Sequence, residues 1–182
     1  MNKDMIKPPV VLTLICLIVC AALVLTYQFT LPMIEASKAA AADASRREVL
    51  AEASEFVELP LEEAITAGIG QVTAISEGKA NGQTVGWVFT SNAKGYGGAV
   101  VVMCGIDTEG MLTKVKVTEH SETPGLGSKV ADPSYTDQFS AADRDGAAQI
   151  DAISGVTYTS TAVKASIEAA YAAYEKMAKE EI

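Results

Sequence analysis

From residue 8 to residue 34 the chain carries no charged side chain, and between residues 10 and 31 only Thr13, Thr26, Gln28 and Thr30 interrupt an apolar run that Tyr27 belongs to. Few folds can accept such a stretch. About 20 residues at 1.5 Å rise cross a hydrocarbon core of roughly 30 Å, so the sequence predicts one membrane-spanning helix with Tyr27 and Phe29 at the level of an interfacial aromatic belt. The run is long for a cleaved signal peptide, and no small-x-small cleavage site closes it. A lipidated cysteine also fits poorly, because Val19 precedes Cys20 where a small residue is wanted. Cys16 and Cys20 fall four apart on one helix face and read as small apolar residues.

What remains of the 182 residues is enough for one soluble domain with a real core. Against 14 Lys and Arg stand 23 Asp and Glu, a net charge of −9. That balance, with no basic patch, excludes a surface that tracks nucleic-acid phosphates. Cys104 is the only cysteine after the span, which excludes a disulfide within the domain, and no spacing of His, Cys, Asp or Glu suits a metal ion. Lys3 and Lys7 precede the span while Lys38, Arg46 and Arg47 follow it, so the positive-inside count is nearly balanced and does not decide orientation.

After the span, residues 35–57 are rich in Ala and Glu and hold no Gly or Pro, which predicts a helical stalk continuing out of the membrane. Pro60 resets the chain, and residues 61–67 suit a short helix stopped by Gly68. Four strands follow at residues 71–76, 84–90, 99–106 and 112–118. Asn81-Gly82 and Asp107-Thr-Glu-Gly110 are hairpin turns between them, so an antiparallel meander is expected. The run Val100-Val-Val-Met-Cys104 is apolar on both faces, as in a central strand covered by helices. Residues 119–150 read as a long, Pro- and Gly-punctuated loop, and loops of that length inside a compact domain usually carry function. The fold class is α+β: an antiparallel sheet flanked by helices behind a single membrane helix and stalk.

The run Asp151-Ala-Ile-Ser-Gly-Val-Thr157-Tyr-Thr-Ser160 gathers hydroxyls around a glycine turn just before a helical pattern, which is expected to begin near Ser160 or Thr161. Backbone N–H groups at a helix start are unpaired and the dipole favours an anion, so Thr157 sits where a phosphate would be held. An ordinary Ser/Thr cap and turn would use the same residues. His120, the only histidine, has no nucleophile to serve and is better read as a positional residue with Glu122, Thr123 and the Gly125-Leu126-Gly127 turn. Lys94 and Tyr96 occupy a glycine-rich hairpin, where an exposed Lys is ordinary and Tyr96 could stack on a ligand. Trp87, in a strand with Val85, Val88 and Phe89, is expected in the core.

Three segments together carry a family resemblance. Asp151-x-x-Ser154-Gly155-Val156-Thr157 resembles the Asp-x-x-Ser/Thr-Gly-Ala-Thr signature of the FMN-binding domain in the G subunit of Rnf complexes and the C subunit of sodium-pumping NADH:quinone oxidoreductases, with Val156 where Ala is usual. Ala93-Lys-Gly-Tyr-Gly-Gly98 is similar to the family's glycine-rich hairpin, and His120-Ser-Glu-Thr-Pro-Gly-Leu-Gly127 to its His-x-Glu-Thr-Pro-Gly-Leu-Gly loop. The resemblance implies FMN bound covalently to Thr157 through a phosphoester made by a separate flavin transferase that recognises Asp151. Ser154, Gly155, Val156, Thr159 and Ser160 would surround the phosphate, and His120, Glu122, Thr123, Pro124, Gly125, Leu126 and Gly127 would shape the flavin pocket.

It implies, further, a division into residues 1–34 as cytoplasmic tail and membrane helix, 35–58 as stalk and 59–182 as the covalent FMN domain. The domain would face the extracytoplasmic side of the cell (inner) membrane. The expected function is electron relay within an Rnf-type ferredoxin:NAD oxidoreductase coupled to ion translocation, with no independent catalytic side chains. Other membrane and iron–sulfur subunits would be its partners. A C subunit of the sodium-translocating NADH:quinone oxidoreductase, or an anchored binding module without cofactor, are the competing readings. Those C subunits look longer, which favours the first.

Overall fold

The computed structural model describes residues 3–61 and 71–180. The short helix expected at residues 61–67, with its stop at Gly68, falls largely outside the described residues. The chain divides into two units, Met1–Asp43 and Ala44–Ile182.

The first unit is helical. Helix α1 covers Lys3–Val49, and among the described residues it is the one helix long and apolar enough to cross a membrane. Leu12, Leu17 and Leu23 are each well over half exposed, so among the described residues they are not buried. The three threonines that interrupt the run are neutralised locally. The hydroxyls of Thr13, Thr26 and Thr30 donate to the carbonyls of Pro9, Ala22 and Thr26 at 2.8, 2.9 and 2.8 Å, so none of the three would carry an unpaired donor into an apolar medium.

The second unit is built on a five-stranded antiparallel sheet with strands in chain order: β1 Glu55–Leu59, β2 Val72–Ala80, β3 Gln83–Lys94, β4 Ala99–Asp107 and β5 Leu112–His120. The four strands read from the sequence are all present, each running one to four residues further at its C-terminal end. Asn81 and Gly82, at φ 54° and 79°, form the two-residue turn that sets the β2–β3 register Ala80↔Gln83. The Asp107 carboxylate accepts from the amides of Glu109 and Met111 and closes the β4–β5 turn.

The stalk reading requires correction at its far end. Helix α1 stops at Val49, and residues 55–59 are the edge strand β1, paired with β2 from Glu55↔Lys79 to Leu59↔Ile75. Ala and Glu favour helix as isolated residues, but Phe56, Val57 and Leu59 gain more by joining an existing sheet edge than by prolonging a solvated helix. The end of α1 also packs in the domain. Val49 and Leu50 are 1% exposed and form a small core with Ala53, Val88 and Met103 on one sheet face. Glycines make room for it: a Cβ on Gly78 would lie 2.4 Å from Leu50 and one on Gly105 2.5 Å from the Val49 carbonyl. The Thr113 hydroxyl donates to that same carbonyl and ends the helix.

The opposite face carries the main core. The last helix, α4 Thr157–Glu180, lies across β3 and β4 and buries Val163, Ile167, Ala170 and Tyr171 at helical spacing against Phe89, Val102, Cys104 and Ile106. Each fully buried Phe or Ile here contributes about 1.5–3 kcal/mol relative to exposure. Strand β4 is therefore covered on both faces, as its unbroken apolar run requires. Between β5 and α4 the expected loop is partly ordered into a 3-10 turn Gly127–Ala131, helix α2 Pro133–Thr136, a second 3-10 turn Asp137–Phe139 and helix α3 Arg144–Gln149. Tyr135 and Phe139 anchor this stretch in the core at 2% and 0% exposure.

Candidate functional site

Helix α4 starts at Thr157, three residues earlier than the hydroxyl-rich sequence suggests, because the Val156 carbonyl already accepts from the Ser160 amide at 2.9 Å. Val156 therefore occupies the N-cap position, and its side chain has no atom to satisfy the first-turn amides. No acidic residue lies in that turn either. The amides of the first turn, with the positive end of the helix dipole behind them, are left for an external acceptor.

Two turns of the same kind frame this helix start. The Val156 amide donates to the Ile153 carbonyl at 2.9 Å with Gly155 at φ 78°, and the Leu126 amide donates to the Thr123 carbonyl at 3.2 Å with Gly125 at φ 76° behind Pro124. Both are type II turns, which demand a positive φ at the third residue. Each sets an apolar residue, Val156 or Leu126, directly after its glycine. Together with the β3–β4 hairpin they enclose a cleft of about 200 Å³ lined by Tyr96, Glu122, Thr123, Leu126, Gly127, Gly155, Val156, Tyr158 and Thr159. The three segments that carry the family resemblance thus meet at one place.

Glu122 is the joint between them. Although charged, it is only 6% exposed, and its Oε1 accepts from the Gly97 amide of the hairpin at 3.0 Å. On its other side a Cβ on Gly127 would lie 2.5 Å from Oε2. His120 stands at the end of β5, exposed, with Nδ1 accepting from the Glu122 amide at 3.4 Å. Its place is at the entry to the loop, and it is not among the residues that line the cleft.

The other expected site residues fall in different places. Glu122, Thr123, Leu126, Gly127, Gly155, Val156 and Thr159 line the cleft. Thr157 lies between two lining residues and is exposed; its hydroxyl bonds to no described residue, while its carbonyl accepts from the Thr161 hydroxyl at 2.8 Å. Asp151, Ser154, Pro124 and Gly125 are exposed on the turns outside the lining. Ser160 is fully buried, and its Oγ accepts from the Ile153 amide at 3.2 Å, so this hydroxyl fastens the turn to α4 instead of facing a ligand.

Tyr158 joins the site without having been singled out by the sequence pattern. It packs edge-on against Tyr96 at 6.5 Å between ring centroids, and both rings are largely exposed at the cleft mouth. The available signal was its position beside Thr157 at a helix start, where the side chain must point either along the cleft or away from it. Trp87 packs against Tyr174 at 5.6 Å and belongs to the core side, not to the cleft. Cys104 is buried, which pushes its thiol up to about 12, so it offers no reactive sulfur.

Residues 95–172 match the FMN-binding domain family. Over nearly its whole length the chain is similar to the G subunit of the Na(+)-translocating ferredoxin:NAD(+) oxidoreductase complex of Acetobacterium woodii, at 32% identity over 197 aligned positions covering 97% of this chain and 95% of that one. The G subunit of the ion-translocating oxidoreductase complex of Methanosarcina acetivorans is 29% identical over 188 positions, 99% of this chain and 98% of its own. Among solved structures, the C subunit of the Na(+)-translocating NADH-quinone reductase of Parabacteroides distasonis shares the fold, with a TM-score of 0.53 over 75% of this chain and 82% of that one at 17% identity.

Proposed function

This chain belongs to the family of G subunits of ion-translocating, Rnf-type oxidoreductase complexes, and from that membership we propose that it relays electrons within such a complex through FMN joined by a phosphoester to Thr157. It is an electron-transfer subunit with an FMN-binding domain. The observation that carries the finer reading is the pairing of an exposed, uncommitted Thr157 hydroxyl with an uncapped helix start and a shallow cleft.

The residues present fit the group. First-turn amides of α4 would take the phosphate, and Tyr96, Leu126 and Tyr158 offer apolar surface to a flat ring. At about 200 Å³ the cleft is smaller than the roughly 300–1,000 Å³ of sites that enclose a small ligand, so it holds only part of a flavin nucleotide. Shallow contact favours a tether. A covalent bond at Thr157 supplies the retention that enclosure does not, which matters for a domain outside the cytoplasm.

When bound, FMN supplies reversible one- and two-electron chemistry. The chain's own residues hold and orient it. The Ser154-Gly155 turn presents Thr157, Ser160 locks that turn to α4, and Glu122 clamps the glycine-rich hairpin to the Thr123–Gly127 turn. No side chain here is needed as an acid, base or nucleophile in the relay. Helix α1 anchors the domain in the cell (inner) membrane, with the domain on the extracytoplasmic side, and the partners are the other membrane and iron–sulfur subunits of the complex. A flavin transferase matures the protein.

The test is expression of the full chain with and without a flavin transferase, followed by denaturing electrophoresis. Flavin fluorescence should follow the protein band only with the transferase, and Thr157→Ala should abolish it. Fluorescence retained in Thr157→Ala would overturn the attachment site. External protease should cleave the domain in right-side-out vesicles, and protection there with cleavage in inverted ones would reverse the orientation.

A further inference from the structure

A carboxylate that is only 6% exposed normally has an ion-pair partner or several donors, because losing hydration as an anion is costly. Glu122 has one donor, the Gly97 amide on Oε1, and among the described residues no donor or cation reaches Oε2. The side chain lines the cleft. Its surroundings are shaped to keep it there: a Cβ on Gly95 would lie 2.3 Å from Oε1 and one on Gly127 2.5 Å from Oε2, so both neighbours are trimmed to backbone. The hairpin amide fixes Oε1, two glycines make room for the carboxylate, and Oε2 is left without a partner among the described residues on the side open to the cleft, where it can accept from a bound group.

We infer that Glu122 is the residue that sets the electronic properties of the bound flavin: Oε2 accepts a hydrogen bond from an O–H or N–H group of the flavin, and the fixed negative charge holds the reduction potential low. The inference rests on the FMN reading above. An anion beside the ring opposes the build-up of negative charge that accompanies reduction, and the cleft wall lowers the screening that water would give. No cation is among the residues that line the cleft to cancel it. Glu122 is thus a positioning and tuning residue whose charge, as well as its shape, matters.

The experiment uses the full chain in detergent, matured by co-expression with a flavin transferase, and compares wild type with Glu122→Gln and Glu122→Asp. Gln keeps the volume and can still accept from Gly97 through its amide oxygen, but lacks the charge. Asp keeps the charge but withdraws it by one methylene. Covalent flavin content should be retained in Glu122→Gln, with a displaced visible absorbance band and a midpoint potential shifted to more positive values. Glu122→Asp should lie closer to wild type in potential. A residue that only braces the hairpin would give the reverse, with Asp more disturbed than Gln. Unchanged spectrum and potential in Glu122→Gln at full flavin content would overturn the inference while leaving the FMN reading intact. Absence of covalent flavin from wild type would overturn the FMN reading, and this inference with it.

Discussion

Gly155 and Gly127 both line the cleft, yet substitution by alanine should act on them through different physics and by different amounts. Gly155 sits at φ 78° with nothing within 4 Å of an added Cβ, so Gly155→Ala meets only backbone strain. The left-handed conformation costs an L-residue about 1–2 kcal/mol, offset by about 0.4–1 kcal/mol from a less flexible unfolded chain, for a net loss of at most about 1.6 kcal/mol. At Gly127 the added Cβ would lie 2.5 Å from Glu122 Oε2 and 2.8 Å from Glu122 Cβ. Glu122 is buried and tied to Gly97, so it cannot simply swing away. Overpacking of about 1–3 kcal/mol and a weakened bond to a charged acceptor of about 1.5–3 kcal/mol bring Gly127→Ala to roughly 2.5–6 kcal/mol. Urea unfolding followed by Trp87 fluorescence reads both, since that ring packs on Tyr174 in the domain core. Gly155→Asn should fall near wild type, because Asn tolerates positive φ. Equal losses for the two alanine variants, or a larger one at Gly155, would refute this reasoning about the cleft.

Two further outcomes follow from the packing. A chain beginning at residue 44 should be soluble and fold cooperatively, whereas one beginning at residue 59 loses the Val49 and Leu50 contacts, worth roughly 3–6 kcal/mol, and the edge strand, and should aggregate; solubility on gel filtration decides. Glu48 accepts hydrogen bonds from Lys116 and Lys114, in that order of effect, and these hold its carboxyl below the usual 4.5. A depressed folded value stabilises above the unfolded pKa and is lost as pH falls through the folded one. Because the group is well exposed, Glu48→Gln should cost at most about 1 kcal/mol at pH 7, and the gap to wild type should narrow as pH falls below the usual 4.5 and through the lowered folded value, as measured by urea midpoints; a gap that does not narrow on acidification would contradict it.

Much of this architecture was legible in the sequence, and the exceptions have physical causes. The long apolar helix and the four strands announced themselves because apolar runs, period-two alternation and Asn-Gly or Asp-x-x-Gly turns are local signals. Strand β1 did not, since Glu-Phe-Val-Glu-Leu follows an Ala-rich helix and its strand identity exists only through pairing with β2. The start of α4 was misplaced because Thr157, Tyr158 and Thr159 lack helix propensity on their own and are held by the Val156 carbonyl and the packed turns beyond. Within the site, the motif residues could be named from sequence, but their division could not. Nothing local distinguishes Ser160, turned inward onto Ile153, from Thr159, which reaches the cleft. Tyr158 becomes visible only when the hairpin carrying Tyr96 is folded against it.

The claim that Thr157 carries the flavin is tested most directly by mass spectrometry of the matured full chain. Cleavage after Arg144 and Lys164 releases a peptide that holds Ser154, Thr157, Thr159, Ser160 and Thr161 together. The account predicts that this peptide gains the mass of FMN less one water and that fragmentation places the whole increment on Thr157. An unmodified peptide from a protein matured with the transferase, or an increment on Thr159 or another hydroxyl, would contradict it.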